Sequence, residues 1–213
     1  FPYYSNQLAW MYNMRKYLPH ILIISFVFLV IPITSATGGS ITLRSHYKSL
    51  SASQVQSMPN VSIRKKTVLG FHGHSTINHD YNLKAIKGDK VVVDNATGLM
   101  WHQSGSDDWM SWDEAKEWVE DLNSEEGYAG YQDWRLPTLE EAASLLEPNK
   151  RDGLYIDPVF SRRQDGCWTG DRMGNLTAWH VGFDDGSISF IPSLIGVSSF
   201  GRPVRSDSDW LVR

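Results

Sequence analysis

The strongest constraint on the fold is a pair of helix start signals flanking a short aromatic link, within residues 91–137. Ser111-Trp112-Asp113-Glu114 forms a capping box: the Ser hydroxyl accepts from the backbone N–H three residues on, and Glu114 reaches back to the N–H of Ser111. Trp112, Ala115, Val119 and Leu122 then recur at helical spacing, with Trp118 at the edge of their face. Thr138 and Glu141 repeat the box, and Pro137 stops the chain just before it. Leu139, Ala142, Ala143 and Leu146 give this second helix its apolar face. Ahead of both lies a hairpin. It has a β-branched strand over residues 90–93, the loop Asn95-Ala96-Thr97-Gly98, and the return strand Leu99-Met100-Trp101. A hairpin followed by two short, well-capped helices predicts a mixed α+β domain.

The remainder reads as strands. Residues 155–160 suggest a partly buried loop, and Cys167-Trp168-Thr169 a short strand. Trp179, Val181 and Phe183 alternate with Ala178, His180 and Gly182, which gives one heavy apolar face and one light one. Asp184-Asp185-Gly186 is a hairpin signal, and Ser187-Ile188-Ser189-Phe190 repeats the alternation. A Gly/Ser-rich segment over 193–201 leads to a last strand at Arg202-Pro203-Val204-Arg205. On apolar alternating strands Trp168 and Trp179 are expected in the core. Trp109, in the polar loop 104–108 and its margin, is the tryptophan expected at the surface.

Residues 1–13 read as an upstream extension or fragment end. Residues 14–36 have the pattern of a secretory signal: Arg15 and Lys16, an apolar run over 21–31 broken only by Ser25, then Pro32 and the small residues Thr34-Ser35-Ala36. The run is shorter than the ~20 residues that span a bilayer. Export to the periplasm, cell surface or medium is expected, or inner-membrane anchoring if the segment is not cleaved. Residues 37–87 read as a Ser/Thr-rich arm, with a short helix capped by Ser51 and ended near Pro59. The arm closes with the stretch GFHGHSTINHDY. His72, His74, His79 and Asp80 carry donors suited to zinc or copper. Gly70 and Gly73 mark a loop, however, and the spacing matches no ordered zinc motif. The expectation is a Gly/His turn bonded to backbone, with no metal and no other cofactor.

Composition excludes several functions. A net charge of −4 and a pI near 6.0 leave no electrostatic case for nucleic acid. The single Cys167 rules out an internal disulfide and a Cys-based zinc site. There is no GxSxG elbow or phosphate-binding glycine loop, and Asp107-Asp108 and Asp184-Asp185 fall in turns, where carboxylates belong without catalysis. Catalysis is not expected.

Five separated motifs, TGLMW, DWRLPT, CWTG, AWHVGFDDGSISF and RPVRS, occur in an order that resembles the Lcl C-terminal domain family, a bacterial domain of unknown function named after a collagen-like adhesin. The resemblance covers about residues 88–207, with 208–213 as a tail. The family is similar to the C-type lectin-like fold of formylglycine-generating enzymes. The resemblance therefore implies a twisted antiparallel sheet with two short helices packed outside it. It makes Trp101, Trp134, Arg135, Pro137, Trp168, Trp179 and Arg205 structural, the two arginines by locking buried carbonyls or carboxylates. The lone Cys167 does not fit the enzymes of that fold. Glu147-Pro148-Asn149 matches a calcium-lectin tripeptide in letters but not in position, so it reads as a helix stop.

The naming adhesin's taste for sulfated glycans would call for a basic cluster. Arg151, Arg162, Arg163, Arg172, Arg202 and Arg205 are its candidates, but Asp152, Asp165 and Asp171 lie beside them. The implied function is an exported, non-enzymatic, adhesin-like domain that binds a glycan or surface protein without calcium through Trp109, Arg172, His180, Asp184 and Arg202. The rival is a membrane-tethered periplasmic structural or sensory module that recognises a protein partner. Membrane contact is expected only through the N-terminal segment. A homo-oligomer is compatible with either, although no coiled coil or collagen stalk enforces one.

Overall fold

The computed structural model describes residues 41–192 and 198–207. The expected extension 1–13, signal segment 14–36 and tail 208–213 lie outside the described residues. The chain runs through a short helix α1 (Ala52–Gln56) and strands β1 (Val61–Thr67), β2 (Gly70–Ser75), β3 (Tyr81–Ile86), β4 (Asp89–Asp94) and β5 (Leu99–His102). Helices α2 (Trp112–Leu122) and α3 (Leu139–Ser144) follow, then strands β6 (Gly166–Arg172), β7 (Thr177–Gly182), β8 (Ser187–Pro192) and β9 (Val204–Ser206). These form two antiparallel sheets, ordered β1-β2-β8-β7-β6 and β3-β4-β5-β9. The α+β class stands, with two sheets in place of the single one expected.

Two apolar clusters hold the layers together. One gathers Phe71, Trp101, Leu139, Trp179, Val181 and Ile188; the other gathers Val91, Val93, Met100, Trp112, Val119 and Trp168. Val92 faces the first and its neighbours face the second, so β4 is buried on both sides. This explains its unbroken run of valines where a half-buried strand would alternate. The link before α3 pairs with β9, since Arg135 and Val204 exchange both backbone hydrogen bonds at 3.0 and 2.9 Å. An arginine on each side of this pair holds a carboxylate: Arg135 in the link is bidentate to Glu141 at 2.7 and 2.6 Å, and Arg205 on β9 donates to Asp133 at 2.6 Å while lying over Tyr131. Pro137, buried, takes no backbone donor role and its carbonyl accepts from Gly170 at 2.8 Å.

Both capping boxes form as the sequence predicts, at Ser111 with Glu114 and at Thr138 with Glu141. So does the Ser51 cap of α1, boxed by Gln54. The placement of α3 differs from expectation. It is buried all round, with Glu140 8% and Glu141 0% exposed, and so does not pack outside a sheet. The reason is the arm. Residues 41–50 lie across α3: Thr138 donates its hydroxyl to Arg44 O at 2.9 Å, and Tyr47 donates to Leu136 O at 3.0 Å. Asp171 on β6, fully buried, receives Arg44 Nη1 and Nη2 at 2.9 and 2.5 Å, the N–H of Lys48 at 2.6 Å and the N–H of Leu139 at 2.7 Å.

The arm reading of 37–87 and the loop reading of 70–81 are both corrected by the strands. β1 and β2 extend the five-stranded sheet from β8, β3 extends the other from β4, and Leu43, Leu50, Val55 and Phe71 enter the core. Gly73 serves close strand approach, and so does Gly70 where it closes the β1–β2 turn. A Cβ at Gly70 would collide with Ile188 O, and one at Gly73 would lie 2.9 Å from Ser62 O.

The β4–β5 loop is knotted by Asp94, which is fully buried. It accepts from Thr97 Oγ1 at 2.5 Å, from the N–H groups of Asp80 and Ala96 at 3.1 Å each, and from His79 Nδ1 at 2.7 Å. Burial pushes its carboxyl up, but the bonds from His79, Thr97 and Asp80 outweigh this, and it settles below the ordinary value of 3.8. The folded state thus binds fewer protons than the unfolded chain near that pH. The stabilisation is complete above the ordinary pKa and is lost as pH falls through the folded one. Asp94→Asn is expected to lose about 1–3 kcal/mol at neutral pH and to soften the acid limb of stability. Thermal melts from neutral to strongly acidic pH check this, and parallel acid limbs in variant and wild type would refute it.

Candidate ligand-binding face

Residues paired across a ladder share a face, so register locates the surface of the five-stranded sheet. Lys65 pairs with His72, His72 with Ser187, Ser187 with Gly182, and Gly182 with Gly166. The next row is Gly70, Ser189, His180 and Trp168. Both rows lie opposite the core-facing Phe71, Ile188, Trp179 and Val181. At the β6 end this face is covered, because Trp168 packs into the α2 cluster and donates Nε1–H to Met110 O at 2.9 Å. From His180 outward it carries small hydroxyls and imidazoles and is partly exposed.

Three expected site residues lie on or beside this face. The ring of His180 stands edge-on to Trp168 at 5.6 Å, and its Nε2 lies 2.9 Å from Ser199 Oγ. Gly166 makes room for it, since a Cβ there would lie 2.6 Å from Nε2. Burial lowers the His180 pKa to about 4, so the ring is a neutral hydrogen-bonding group at physiological pH. Ser199 exchanges both backbone hydrogen bonds with Met110, at 2.8 and 3.0 Å. The next residue back, Trp109, is 63% exposed and rests edge-on against Phe200 at 5.8 Å. At the other end Asp184 and Asp185 fold back over Gly182, where a Cβ would lie 3.2 and 2.7 Å from their Oδ1 atoms. Burial, then the nearby Asp185 and Asp165, raises the Asp184 carboxyl above its ordinary range. The face therefore runs from an indole through a neutral imidazole and serine hydroxyls to a pair of carboxylates.

Two expected members are engaged in packing. Arg202 is fully buried, with Nη1 donating to His102 O and Gln103 O at 3.3 and 2.8 Å and Nη2 to Gln164 Oε1. Its plane lies over Phe160 and Phe183, so it is a core arginine and not a ligand-binding one. Arg172, at the end of β6, pairs with Ala178 in the next row of the same face, but its guanidinium stacks on Trp112 and donates to Asn175 O. Of the other arginines proposed for a basic cluster, Arg151 holds Asp157, Arg162 holds Asp152, and Arg163 holds Asp107. Each is paired.

The three histidines raised as metal ligands diverge. His72 Nδ1 lies 3.1 Å from Asp185 O, and His79 bridges Asp94 and Ser144 O. Among the described residues no group of three or more His, Cys, Asp or Glu is placed to hold a metal. Glu147-Pro148-Asn149 follows α3 as a stop. Glu147 N–H bonds Tyr155 O, Pro148 O accepts from Arg64, and Glu147 and Pro148 line a polar hollow of about 510 Å³ beside His79 and Tyr81. Sequence reasoning missed Ser187 and Ser189 as part of the face, and the buried Ser199 that bonds His180. The alternation that placed Ile188 inward already put both β8 serines on the opposite side.

Two antiparallel sheets around short helices, with one polar open face beside an exposed indole, define an α+β module with no helix among the described residues long and apolar enough to cross a membrane. The chain belongs to the Lcl C-terminal domain family, whose model matches residues 90–205. The match begins in β4 and ends in β9, so β1, β2 and β3 precede it. No curated protein matches the chain.

Proposed function

We propose that the chain is an exported, non-enzymatic, adhesin-like binding domain of C-type lectin-like fold, and that it takes a glycan on the Trp109–His180–Asp184 face without calcium. The observation that carries this is the exposed indole of Trp109 next in sequence to Met110, whose bridge partner Ser199 bonds His180 on a polar sheet face. A sugar ring stacks its C–H face on an indole, while its hydroxyls need hydrogen-bonding groups held rigidly in plane. Seryl hydroxyls, a neutral imidazole and carboxylates supply both donors and acceptors.

Catalytic groups are poorly disposed. The Cys167 thiol is fully buried and burial pushes it up to about 12, far from a thiolate at neutral pH. Burial likewise holds His102 down at about 3, with Arg202 adding to the effect.

Glycan arrays with and without chelator test the proposal. Binding that survives chelation supports it. Trp109→Ala should weaken that binding at least about tenfold while leaving thermal stability within about 0.5 kcal/mol, as for a substitution at an exposed site. Absence of any array ligand, together with capture of a protein partner that Trp109→Ala does not disturb, would favour the tethered protein-binding module instead.

A further inference from the structure

We propose that the β1–β2 turn is a membrane-contacting tip that seats two aliphatic side chains in the headgroup boundary of an anionic bilayer. Thr67 pairs with Gly70, so Val68 and Leu69 are the whole loop. Two-residue hairpin loops select Asn, Asp or Gly, which tolerate positive φ and present polar groups to water. Here Gly70, at φ +145°, takes the unusual backbone conformation, and neither Val68 nor Leu69 has positive φ. Backbone requirements therefore do not account for two large aliphatics at this position. They are 93% and 51% exposed, and Val68 is the most exposed large hydrophobic among the described residues.

The tip is tied to the sheet and flanked by cations. Phe190 N–H donates to Leu69 O at 2.9 Å, which ties the turn to β8. Arg64, Lys65 and Lys66 run up to the turn in consecutive exposed positions. Arg64 is engaged, donating to Pro148 O at 3.0 Å and lying over Tyr155. Lys65 and Lys66 form no ion pair with the described residues. Leu176, 61% exposed, lies in the β6–β7 turn at the same end of the sheet, because Thr177 pairs with the β8 end at Pro192.

The pairing of aliphatic tip and cations decides the partner. A polyanionic glycan would use the lysines but offers nothing to Val68 and Leu69. The boundary of an anionic bilayer takes both, burying the aliphatics below the headgroups while each lysine gains from the negative surface potential. Lys65 and Gly70 also stand in the rows of the Trp109 face, but Val68 and Leu69 do not, so the aliphatic pair separates the two readings.

The test uses the full chain and a label at one position. Cys167 is the one cysteine and is fully buried, so Val68→Cys presents a single reactive thiol for an environment-sensitive fluorophore. Vesicles of phosphatidylcholine with phosphatidylglycerol should shift its emission to the blue, and pure phosphatidylcholine should do so far less. A label at Leu83→Cys, on β3 of the other sheet and 49% exposed in the native residue, should not respond. That label controls for partitioning through any other segment. Adding Lys65→Glu and Lys66→Glu should weaken the response about tenfold, and added salt should reproduce part of that loss. Unlabelled Val68→Ser/Leu69→Ser should float with vesicles about tenfold less than wild type, with an unchanged melt. No shift at position 68, an equal shift at 83, or flotation indifferent to the serine pair would overturn the proposal. Retention on heparin with an unmoved label would also overturn it, and would assign the lysines to a polyanion.

Discussion

Arg202→Ala is expected to be the most damaging single substitution, costing about 3–5 kcal/mol of folding stability. The guanidinium is fully buried. It collects the carbonyls of His102 and Gln103 and the amide oxygen of Gln164, three groups from two separate loops, and its plane is held over two phenylalanine rings. Burial lowers its pKa to about 10, so it is still a cation at neutral pH. Truncation would strand those acceptors in a dry interior and open a cavity between Phe160 and Phe183. Arg202→Lys should recover little of the loss, because a lysine has one donor centre and no plane to stack. Urea unfolding followed by tryptophan fluorescence gives the numbers. A loss below about 1 kcal/mol in the alanine variant would mean that the carbonyls find other donors and that the core reading of Arg202 is wrong.

Asp171→Ala is expected to follow closely, at about 3–5 kcal/mol, and to act more locally. The carboxylate joins three segments distant in sequence: Arg44 and Lys48 of the leading stretch, the first turn of α3 through Leu139, and β6 itself. Without it the Arg44 guanidinium keeps only the His46 carbonyl and Glu140, the latter at 4.0 Å, and two backbone N–H groups lose their acceptor. Residues 41–50 should therefore open before the sheets do. Hydrogen exchange should show loss of protection at Lys48 and Leu139 at denaturant concentrations where β4 and β7 remain protected. Uniform loss of protection would show instead that the leading stretch and the sheets unfold as one unit.

What was legible in the sequence was local. Ser111, Glu114, Thr138 and Glu141 complete their boxes within four residues, so cap chemistry alone identifies both helix starts. The alternation from Ala178 to Phe190 likewise placed Trp179, Val181 and Ile188 inside and Trp109 remained the exposed indole. What was not legible depended on partners far along the chain. β2 offers one large apolar side chain, Phe71, among glycines and histidines; it pairs along its length with β1, and its place in the sheet comes from β8 more than a hundred residues later. The polar residues of α3 look solvent-facing until Arg44, Tyr47 and Asp171 are brought over them. Arg202 and Arg205 stand three apart in one short motif, yet one is sealed among aromatics and the other holds an exposed aspartate, a difference set by the loops around residues 103 and 161–164. The candidate face was half visible: its indole, imidazole and carboxylate were named, but the two arginines assigned with them belong to packing.

The residues that come before the family match have an evolutionary consequence. Similarity over 90–205 marks a unit of inheritance, but the unit that folds in this chain is larger, because β1, β2 and β3 widen both sheets and the 41–50 stretch roofs α3. A copy shuffled into another gene at the boundary of the match would arrive with two raw sheet edges and a helix whose buried carboxylates had lost their cover. In this chain residues 41–89 and the family segment form one folded unit, so a recombination breakpoint at residue 90 would divide both sheets.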